Sequence, residues 1–357
     1  MKLVIRTFAC AAFAAVLLAT RLQAAELKGD IVMRLEKALP EAASVKPEKP
    51  HKVLIYTRAS GFVHGSIPVG AKAFELLGKK TGAFEVTKTT EDPAVFDSDL
   101  AEFDAIVLMS CTGEFLRPSG PRMPKKEDMA KKTDEEKKKI EDAVKDFEAV
   151  EKASKEAEPA RKKALLNFVS SGKGLIGIHA ATDAYYNWPE YGEMIGGYFN
   201  GHPWHNIMIK IDDPKSPLTA QFDGKPFYFN DEIYTYKTLP THGRDKFHML
   251  LSVDLEGSSQ LDKLTPPQKV DLKKDAATGK YQGENRADHD YAVAWTKKYG
   301  NGRVFYTLLG HENATYMNPV SMKFFLDGIQ YALGDIKADD APTKKAEDAP
   351  VKAVDNK

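Results

Sequence analysis

The sequence predicts an α/β fold with a doubly wound, mostly parallel sheet, and two observations lead to that prediction. Short apolar runs alternate with helical patterns, beginning with a strand at Val53–Arg58 and a helix that starts at Ser66. The run Gly174–Ala180 is apolar on both sides, which is typical of strands buried on both faces of a parallel sheet. Ligands of such sheets bind beyond the carboxyl ends of the strands, so we expect a functional site at that edge.

The other elements follow from the same patterns. Ser66 is expected to cap the first helix, because Pro68 follows it and apolar residues recur at helical spacing from Val69. A closing helix is expected from about Val320 to Leu333. The remaining predicted strands are Phe84–Thr90, Ala105–Ser110, Ile207–Ile211, Phe227–Tyr234, His248–Val253, Tyr291–Trp295 and Arg303–Leu309.

One domain is expected, at residues 51–335, between a short lead-in at 26–50 and a tail at 336–357. The tail consists mainly of Ala, Lys, Asp and Pro, which predicts disorder. Two segments are interpreted as insertions. The Lys/Glu-rich run at 121–163 predicts a long exposed helix that continues to Ser170, and the polar, Pro/Gly-rich segment at 257–287 predicts an excursion loop.

Residues 1–25 have the three parts of a secretory signal. Lys2 and Arg6 precede an apolar core at Phe8–Thr20, and Leu22–Ala24 offers the small side chains that a signal peptidase requires. A membrane-spanning helix would need about 20 apolar residues, and no lipobox precedes Cys10. The sequence therefore predicts an exported protein, periplasmic or secreted, without a stable membrane anchor.

The composition of the mature chain limits its partners. Removing the leader takes three basic residues with it and leaves 48 of the 51 Lys and Arg residues against 51 acidic ones, a net charge of −3. This balance argues against nucleic acid as a partner. Cys111 is the one cysteine left, so no intrachain disulfide can form and the fold must depend on its hydrophobic core.

The segment Gly172–Gly177 matches the pattern GxGxxG but in the wrong context. In a dinucleotide site those glycines follow a strand and open a helix. Here a helix is expected to end at Ser171–Gly172 and a strand to begin after it. The glycines are therefore predicted to cap the helix and start the strand, and no nucleotide cofactor is expected.

Three histidines come directly after predicted strands. His64 follows the first strand, His179 ends the Gly174–Ala180 run and His311 follows Arg303–Leu309. The carboxyl ends of parallel neighbouring strands meet at one edge of a sheet. We therefore expect the three imidazoles to share a pocket, although a single histidine would more often be a packing residue.

Two further clusters are candidates for the same pocket. His202 and His205 lie in a predicted loop that Pro203 stiffens, and packing of that aromatic loop on the domain is an equal alternative. Asp231 and Glu232 are consecutive on a predicted strand, so their side chains point to opposite faces and only one can reach a site. We favour Glu232, with exposed charge at a strand edge as the alternative.

At these positions the sequence resembles the ThuA-like (trehalose utilisation) family, whose fold is similar to class I glutamine amidotransferases, a flavodoxin-like three-layer sandwich. The resemblance covers most of residues 51–335. Its motifs are, in chain order, Gly61–His64, Gly174–Ala181, Gly196–Phe199 with His202 and Pro203, Asp231–Tyr234, Gly302–Tyr306 and Gly310–His311.

The resemblance also separates the fold from amidotransferase chemistry. Amidotransferases present a catalytic cysteine at a strand–turn–helix elbow, and the comparable stretch here presents His179. Imidazole cannot form the usual thioester there, so the fold is expected without that activity. What the family implies is a role in the breakdown of a disaccharide or a keto-sugar.

The leading hypothesis is a periplasmic enzyme that acts on a disaccharide or keto-glycoside by hydrolysis, elimination or isomerisation. The residues expected to be catalytic are His179, Glu232, His64 and His311. Those expected to contact a sugar are His202, His205, Trp204, Tyr198, Asp183 and Tyr234, with Trp204 and Tyr198 stacking on its ring. The histidines suit proton transfer. They also suit a divalent metal, zinc or similar, held by His179, His202, His311 and Glu232.

Two alternatives belong to other classes of protein. One is a non-catalytic module that binds a sugar or serves as a scaffold. The other is a hydrolase that uses Cys111 as its nucleophile, because this residue directly follows a predicted strand. Lone thiols are more often buried and inert, which favours the histidine site over the thiol.

Overall fold

The computed structural model describes residues 27–343 except 119, 121–123, 125, 239 and 241. The predicted leader and the end of the tail, residues 344–357, lie outside the described residues. The strands of that part of the chain are β1 (Lys52–Tyr56), β2 (Glu85–Thr90), β3 (Ala105–Met109), β4 (Gly174–Ile178), β5 (Phe199–Ile211), β6 (Phe227–Tyr236), β7 (His248–Asp254), β8 (Ala292–Tyr299) and β9 (Gly302–Thr307). The helices are α1 (Gly29–Ala38), α2 (Ile67–Thr81), α3 (Lys126–Ala130), α4 (Asp134–Ser170), α5 (Pro189–Ile195), α6 (Leu255–Ser258) and α7 (Pro319–Leu333).

The described strands form one mixed sheet in the order β2-β1-β3-β4-β9-β8-β7-β5-β6. The neighbours from β2 to β9 are parallel. Those from β9 to β6 are antiparallel. The α/β class is confirmed, but the expectation of a mostly parallel sheet is wrong, because half of the neighbouring pairs are antiparallel.

The parallel half has helices on both faces. Phe305 of β9 lies against Gly328 of α7, where an added Cβ would come within 2.3 Å of its ring. Tyr306, the next residue, points to the opposite face. On that face it borders Gly177 of β4, which lies against Ile195 of α5. Strands enclosed in this way must be apolar on both sides, as β3 and β4 are throughout.

The antiparallel half curls back toward the parallel half. Four strand spacings separate β6 from β9 in the sheet order, which would be about 19 Å in a flat sheet. Yet Tyr236 Oη of β6 lies 3.4 Å from Tyr306 Oη of β9. The register of β5 against β6 shifts at three places between Phe199 and Asn206, and such bulges bend a strand. The segment Gly201–His205, predicted to be a loop, belongs to this bulged strand.

The two predicted insertions differ from each other. The charged run forms α4, a helix of 37 residues that begins with reciprocal hydrogen bonds between Thr133 and Glu136 and buries Leu165 and Phe168 near its end. The second segment packs against β5 instead of projecting from the domain. Its Leu272 is fully buried, and its Gln282 carbonyl accepts a hydrogen bond from Trp204 Nε1 at 2.7 Å.

Two local expectations need correction. Ser66 makes no side-chain bond to its own helix; its hydroxyl donates to the Gly310 carbonyl at 2.8 Å and so ties α2 to the loop after β9. The tail was predicted to be disordered from 336, but its described part is ordered. Thr343 N donates to Phe247 O at 3.1 Å and Thr343 Oγ1 accepts from Met249 N at 2.8 Å. Hydrogen bonds from the backbone and the side chain of Thr343 hold it there without large apolar side chains.

The helix end at Gly172 is placed as predicted. Gly172 adopts a positive φ of 120° just after α4, and β4 begins at Gly174.

Among the described residues, no helix is both long enough and apolar enough to cross a membrane.

Candidate active site

The three histidines that follow strands meet at one edge of the parallel half. The ring centroids of His64 and His179 are 4.7 Å apart, those of His64 and His311 are 5.3 Å apart, and those of His179 and His311 are 5.2 Å apart. This meeting follows from topology, because β1, β4 and β9 run in the same direction within one half-sheet. The structure thus brings together the histidines that the sequence placed at strand ends.

His179 is held by a tight turn. Its φ of +47° is in the left-handed region, which is costly for a residue with a Cβ, and a 3₁₀ turn follows at His179–Thr182. Its Nδ1 lies 2.7 Å from the Leu308 carbonyl, which can only accept, so this nitrogen carries a proton. In the neutral ring Nε2 is therefore the atom with a free lone pair, and Tyr234 Oη donates to it at 3.0 Å.

Glu232 reaches the histidines from the far edge of the sheet. Its Oε2 lies 3.4 Å from His179 Nε2 and 3.2 Å from His311 Nδ1. Its Oε1 lies 3.3 Å from Nδ1 of His202, whose side chain is 50% exposed. The curl of β6 is what makes this approach possible. The preference for Glu232 over Asp231 agrees with this geometry.

Asp231 points the other way and organises the loop that carries His311. Its carboxylate accepts hydrogen bonds from Gly310 N at 2.8 Å, Glu312 N at 3.1 Å and Thr315 Oγ1 at 2.7 Å. It is fully buried, so these donors replace the water that a carboxylate would otherwise bind. The sequence interpretation missed this role, although the alternation of side chains along a strand already placed Asp231 on the face opposite Glu232.

The environment fixes the charges of the cluster. Burial would raise the pKa of Glu232, but the interactions of its carboxylate with the imidazoles of His179 and His311 outweigh it and hold that pKa below its usual range. Burial, with the charges of His179 and His311, lowers the pKa of His64 to about 3. The hydrogen bond with Glu232 raises the pKa of His311, although burial opposes it. Near neutral pH the site therefore combines an ionised carboxylate with a neutral His64.

The donor set fits a divalent metal. His64, His179, Glu232 and His311 each offer a ligand atom, and these atoms lie within 4.8 Å of one another. The Glu232–His179 and Glu232–His311 separations of 3.4 and 3.2 Å are close to the roughly 3.4 Å between neighbouring ligands of tetrahedral zinc. His64 Nδ1 is buried and has no hydrogen-bond partner among the described residues, which is costly for a polar atom. The candidate ligands that the structure brings together therefore differ from the expected ones at one position. His64 belongs to the cluster, and His202 lies beside it.

The other predicted sugar contacts are not all near the cluster. His205 is exposed, and its ring lies 6.4 Å from that of His202. Trp204 is 1% exposed and packs edge-on against Tyr291 at 5.0 Å. Tyr198 is 4% exposed and donates its hydroxyl to the Trp188 carbonyl. Neither of these two rings offers a face to a ligand, so the structure does not support the expected stacking on Trp204 and Tyr198.

Asp183 lies beside the cluster, four residues after His179 in the sequence. Burial raises its pKa, while a hydrogen bond from Tyr186 and the charge of His179 oppose that shift. Asp183 is partly exposed, whereas Tyr234 is 2% exposed and its hydroxyl bonds His179 Nε2.

Cys111 does not share this environment. It is fully buried, its thiol donates to the Tyr56 carbonyl at 3.2 Å, and burial raises its pKa well above the usual value. A thiol that is inaccessible and protonated is a poor nucleophile. The geometry therefore argues against the alternative of a Cys111-dependent hydrolase.

Comparison with known proteins agrees with the sequence motifs. The ThuA family model, described as trehalose utilisation, matches residues 52–124 and 122–332. The crystal structure of a putative ThuA-like protein from Bacteroides uniformis is similar, with a TM-score of 0.52 at 17% identity over 82% of this chain and 95% of that one. A second putative ThuA-like protein, from Parabacteroides merdae, gives a TM-score of 0.47 at 17% identity over 82% of this chain and 93% of that one. A search of curated proteins found no match.

Proposed function

The chain belongs to the ThuA (trehalose utilisation) family, and we propose that it is an exported, metal-assisted enzyme that acts on a disaccharide or keto-glycoside. The family description gives the domain a carbohydrate-related role. The observation that carries the proposal is the cluster of three histidines and one glutamate whose ligand atoms lie within 4.8 Å of one another. Structural packing alone rarely gathers that many imidazoles around one carboxylate.

His64, His179, His311 and Glu232 are the residues that would hold the metal. A divalent ion bound there supplies Lewis-acid polarisation of a substrate oxygen. The Leu308 carbonyl orients the ring of His179, and Asp231 orients the loop of His311, as hydrogen-bond partners of metal ligands commonly do.

His202 is the candidate acid–base group. Its ring is half exposed, and its Nδ1 faces the ionised Glu232 at 3.3 Å. A proton on Nδ1 is stabilised by that carboxylate, which leaves Nε2 to accept or return a proton at a bound ligand. Hydrolysis, elimination and isomerisation of a glycoside all need such a transfer next to an oxygen atom. Tyr234 stays protonated, because burial raises its pKa, and so remains a hydrogen-bond donor.

The proposal is tested by metal content and turnover together. The chain is purified, supplied with zinc or manganese, desalted, and analysed for bound metal. We expect about one equivalent per chain, with turnover of trehalose or of its singly oxidised keto derivative that a chelator abolishes. Less than about 0.2 equivalents would overturn the metal-assisted form. Saturable sugar binding without turnover would favour the non-catalytic alternative.

Substitution of His202 tests the acid–base role against a matched control. His202→Gln is expected to lower kcat by about 100-fold, because general acid–base groups contribute about that much or more. The control is His205→Gln, three residues along the same strand, which is exposed and forms no ion pair with Glu232 within the described part of the chain. Equal effects of the two variants on kcat would contradict the assignment to His202.

The exported location is tested separately from the chemistry. Expression of the full chain in a Gram-negative host should place the protein in the periplasmic fraction, with a new N-terminus just after Ala24 or Ala25. Recovery from the cytoplasm with Met1 retained would contradict it.

A further inference from the structure

We propose that Phe62, with Val63 beside it, is the surface on which a sugar ring of the substrate stacks at the mouth of the site. This inference rests on the proposed function and adds a binding residue to it. Phe62 is 65% exposed and Val63 is 54% exposed. The Phe62 ring lies 4.8 Å from the ring of His64, with the two planes at 73°. An exposed apolar pair is therefore continuous with the metal-binding cluster.

The loop that carries Phe62 is held firmly, so its exposure does not come from a loose segment. Ser60 N donates to the Thr112 carbonyl at 2.9 Å. The Thr112 hydroxyl accepts from Gly61 N at 3.1 Å and donates to the Phe62 carbonyl at 2.9 Å. Gly61 lies so close to Thr112 that an added Cβ would come within 3.2 Å of its hydroxyl. The backbone thus orders Phe62 before any ligand arrives, which lowers the entropic cost of binding.

A pyranose ring matches this surface. One side of such a ring is made of C–H groups and packs against an aromatic face, and its hydroxyl groups extend from the rim toward polar partners. Phe62 supplies the apolar face, and the cluster next to His64 supplies imidazole nitrogens and the Glu232 carboxylate. Pockets for small ligands commonly pair apolar walls with a few polar groups in this way. A ring stacked on Phe62 would be held beside the reacting centre.

Other aromatic residues near the site are less suited. Tyr198 and Trp204 are buried. Tyr186 is 39% exposed, but Lys237 Nζ lies over its ring at 3.8 Å and its hydroxyl donates to Asp183. The one ring contact of Phe62 within the described part of the chain is with His64, which leaves most of its surface to a ligand.

The kinetic test compares Phe62→Ala, Phe62→Tyr and Val150→Ala. Val150 is a similarly exposed apolar residue on α4 and serves as the control. Phe62→Ala is expected to raise the KM for the keto derivative of trehalose about tenfold while kcat stays within about threefold, because uniform binding is lost. Phe62→Tyr keeps the ring and should remain near wild type, as should Val150→Ala. Metal content should not change in any of them.

A second variant tests the stacking surface by fluorescence, without an activity assay. Phe62→Trp adds an exposed indole to a protein whose three natural tryptophans are all buried. Its red-shifted emission should move to shorter wavelength and saturate as trehalose is added, whereas wild type should not respond. No response together with an unchanged KM for Phe62→Ala overturns the stacking surface. If those results accompany normal metal binding and turnover, the proposed function still stands.

One further outcome would assign the surface differently. If Phe62→Ala leaves KM unchanged but converts a dimer to a monomer in sedimentation velocity, the exposed pair is an interface between copies, and the sugar proposal is wrong. Loss of metal from wild type would instead contradict the proposed function. The emission titration of Phe62→Trp would still report on sugar binding in that case.

Discussion

The parallel and antiparallel halves of the sheet supply the site by different routes. His64, His179 and His311 follow β1, β4 and β9, and they meet because parallel strands end at one edge. Glu232 comes from β6, which reaches the same place through the curl of the antiparallel half. The first route depends on strand direction and order, and the second on packing between strands that are distant in the sheet. One site therefore depends on two independent features of the fold.

The largest expected effect tests whether both routes are necessary. Glu232→Gln keeps the size of the side chain but removes its charge, and His179→Asn removes one of the three ligands that the parallel half supplies. Each should lower bound metal from about one equivalent to less than about 0.2, because a site with one charged ligand and three imidazoles loses affinity steeply when either kind is removed. Metal analysis with turnover measures this. A Glu232→Gln protein that retains metal would show that the parallel half holds the ion alone.

The next effect concerns the residue that joins the halves. Asp231 of β6 holds the loop after β9 through the backbone N–H groups of Gly310 and Glu312. In Asp231→Asn the amide loses the charge and part of the accepting capacity, so we expect a loss of about 2–3 kcal/mol in the free energy of unfolding. Metal affinity should fall about tenfold or more through displacement of His311.

Urea unfolding and metal titration of the same samples check this second prediction. Asp262→Asn, at an exposed position of the segment after α6, is the control and should be close to wild type in both. An Asp231→Asn protein that loses stability but keeps wild-type metal affinity would mean that His311 does not depend on this anchor.

The contrast between the parallel and antiparallel halves also explains which strands the sequence could predict. The sequence locates β1, β3, β4 and β9 within about two residues, because buried strands are continuous apolar runs, whereas the parallel edge strand β2 is polar and largely exposed. The connection Gly300–Asn301 between β8 and β9 has two residues, which is typical of antiparallel hairpins, whereas the strand patterns by themselves predict only two separate strands. The start of β5 contains Gly201 and Pro203, which favour a loop by composition, and only its pairing with β6 makes it a strand.

Burial was harder to predict than position in the chain. Trp204 and Tyr198 have the right chemistry to stack on a sugar and lie near His202 in the sequence, but the first packs under the segment at 257–287 and the second against α5. Phe62 lies within the motif Gly61–His64, and nothing in the local pattern distinguishes an exposed phenylalanine from a buried one. Exposure is decided by the neighbours that the fold brings, here Thr112, 50 residues further along the chain.

A smaller effect concerns two carboxylates, one in each half of the sheet, that stabilise the fold. Asp104 joins the starts of β1 and β4 through Lys52 N and Lys173, and Asp271 holds β5 through Asn206. Burial opposes ionisation in both, but hydrogen bonds and neighbouring lysines outweigh it and lower each pKa to about 2. A pKa below the unfolded value means that each carboxylate stabilises the fold above about pH 4 and that this contribution is lost as the pH falls toward 2.

Asn variants of these two residues should therefore behave differently. Each should lose about 1–2 kcal/mol at pH 7, and the difference from wild type should shrink as the pH falls toward 2. Asp271→Asn should also lower kcat/KM several-fold, because β5 carries His202, whereas Asp104→Asn should not. Thermal unfolding between pH 7 and pH 2, with kinetics at pH 7, measures both. Equal kinetic losses would mean that β5 is not positioned by Asp271.

The smallest expected effect is at Cys111, which also follows a strand of the parallel half. Cys111→Ser should leave kcat/KM within about twofold and cost about 1 kcal/mol of stability, since the hydroxyl can still donate to the Tyr56 carbonyl. Activity assays and urea unfolding check this, and loss of activity would bring the thiol back as a nucleophile. A strand end at the correct edge is therefore not sufficient for a role in the site. The three histidines differ from Cys111 in having a carboxylate from the other half of the sheet within reach, so the curl of β6 selects which strand-end residues the site uses.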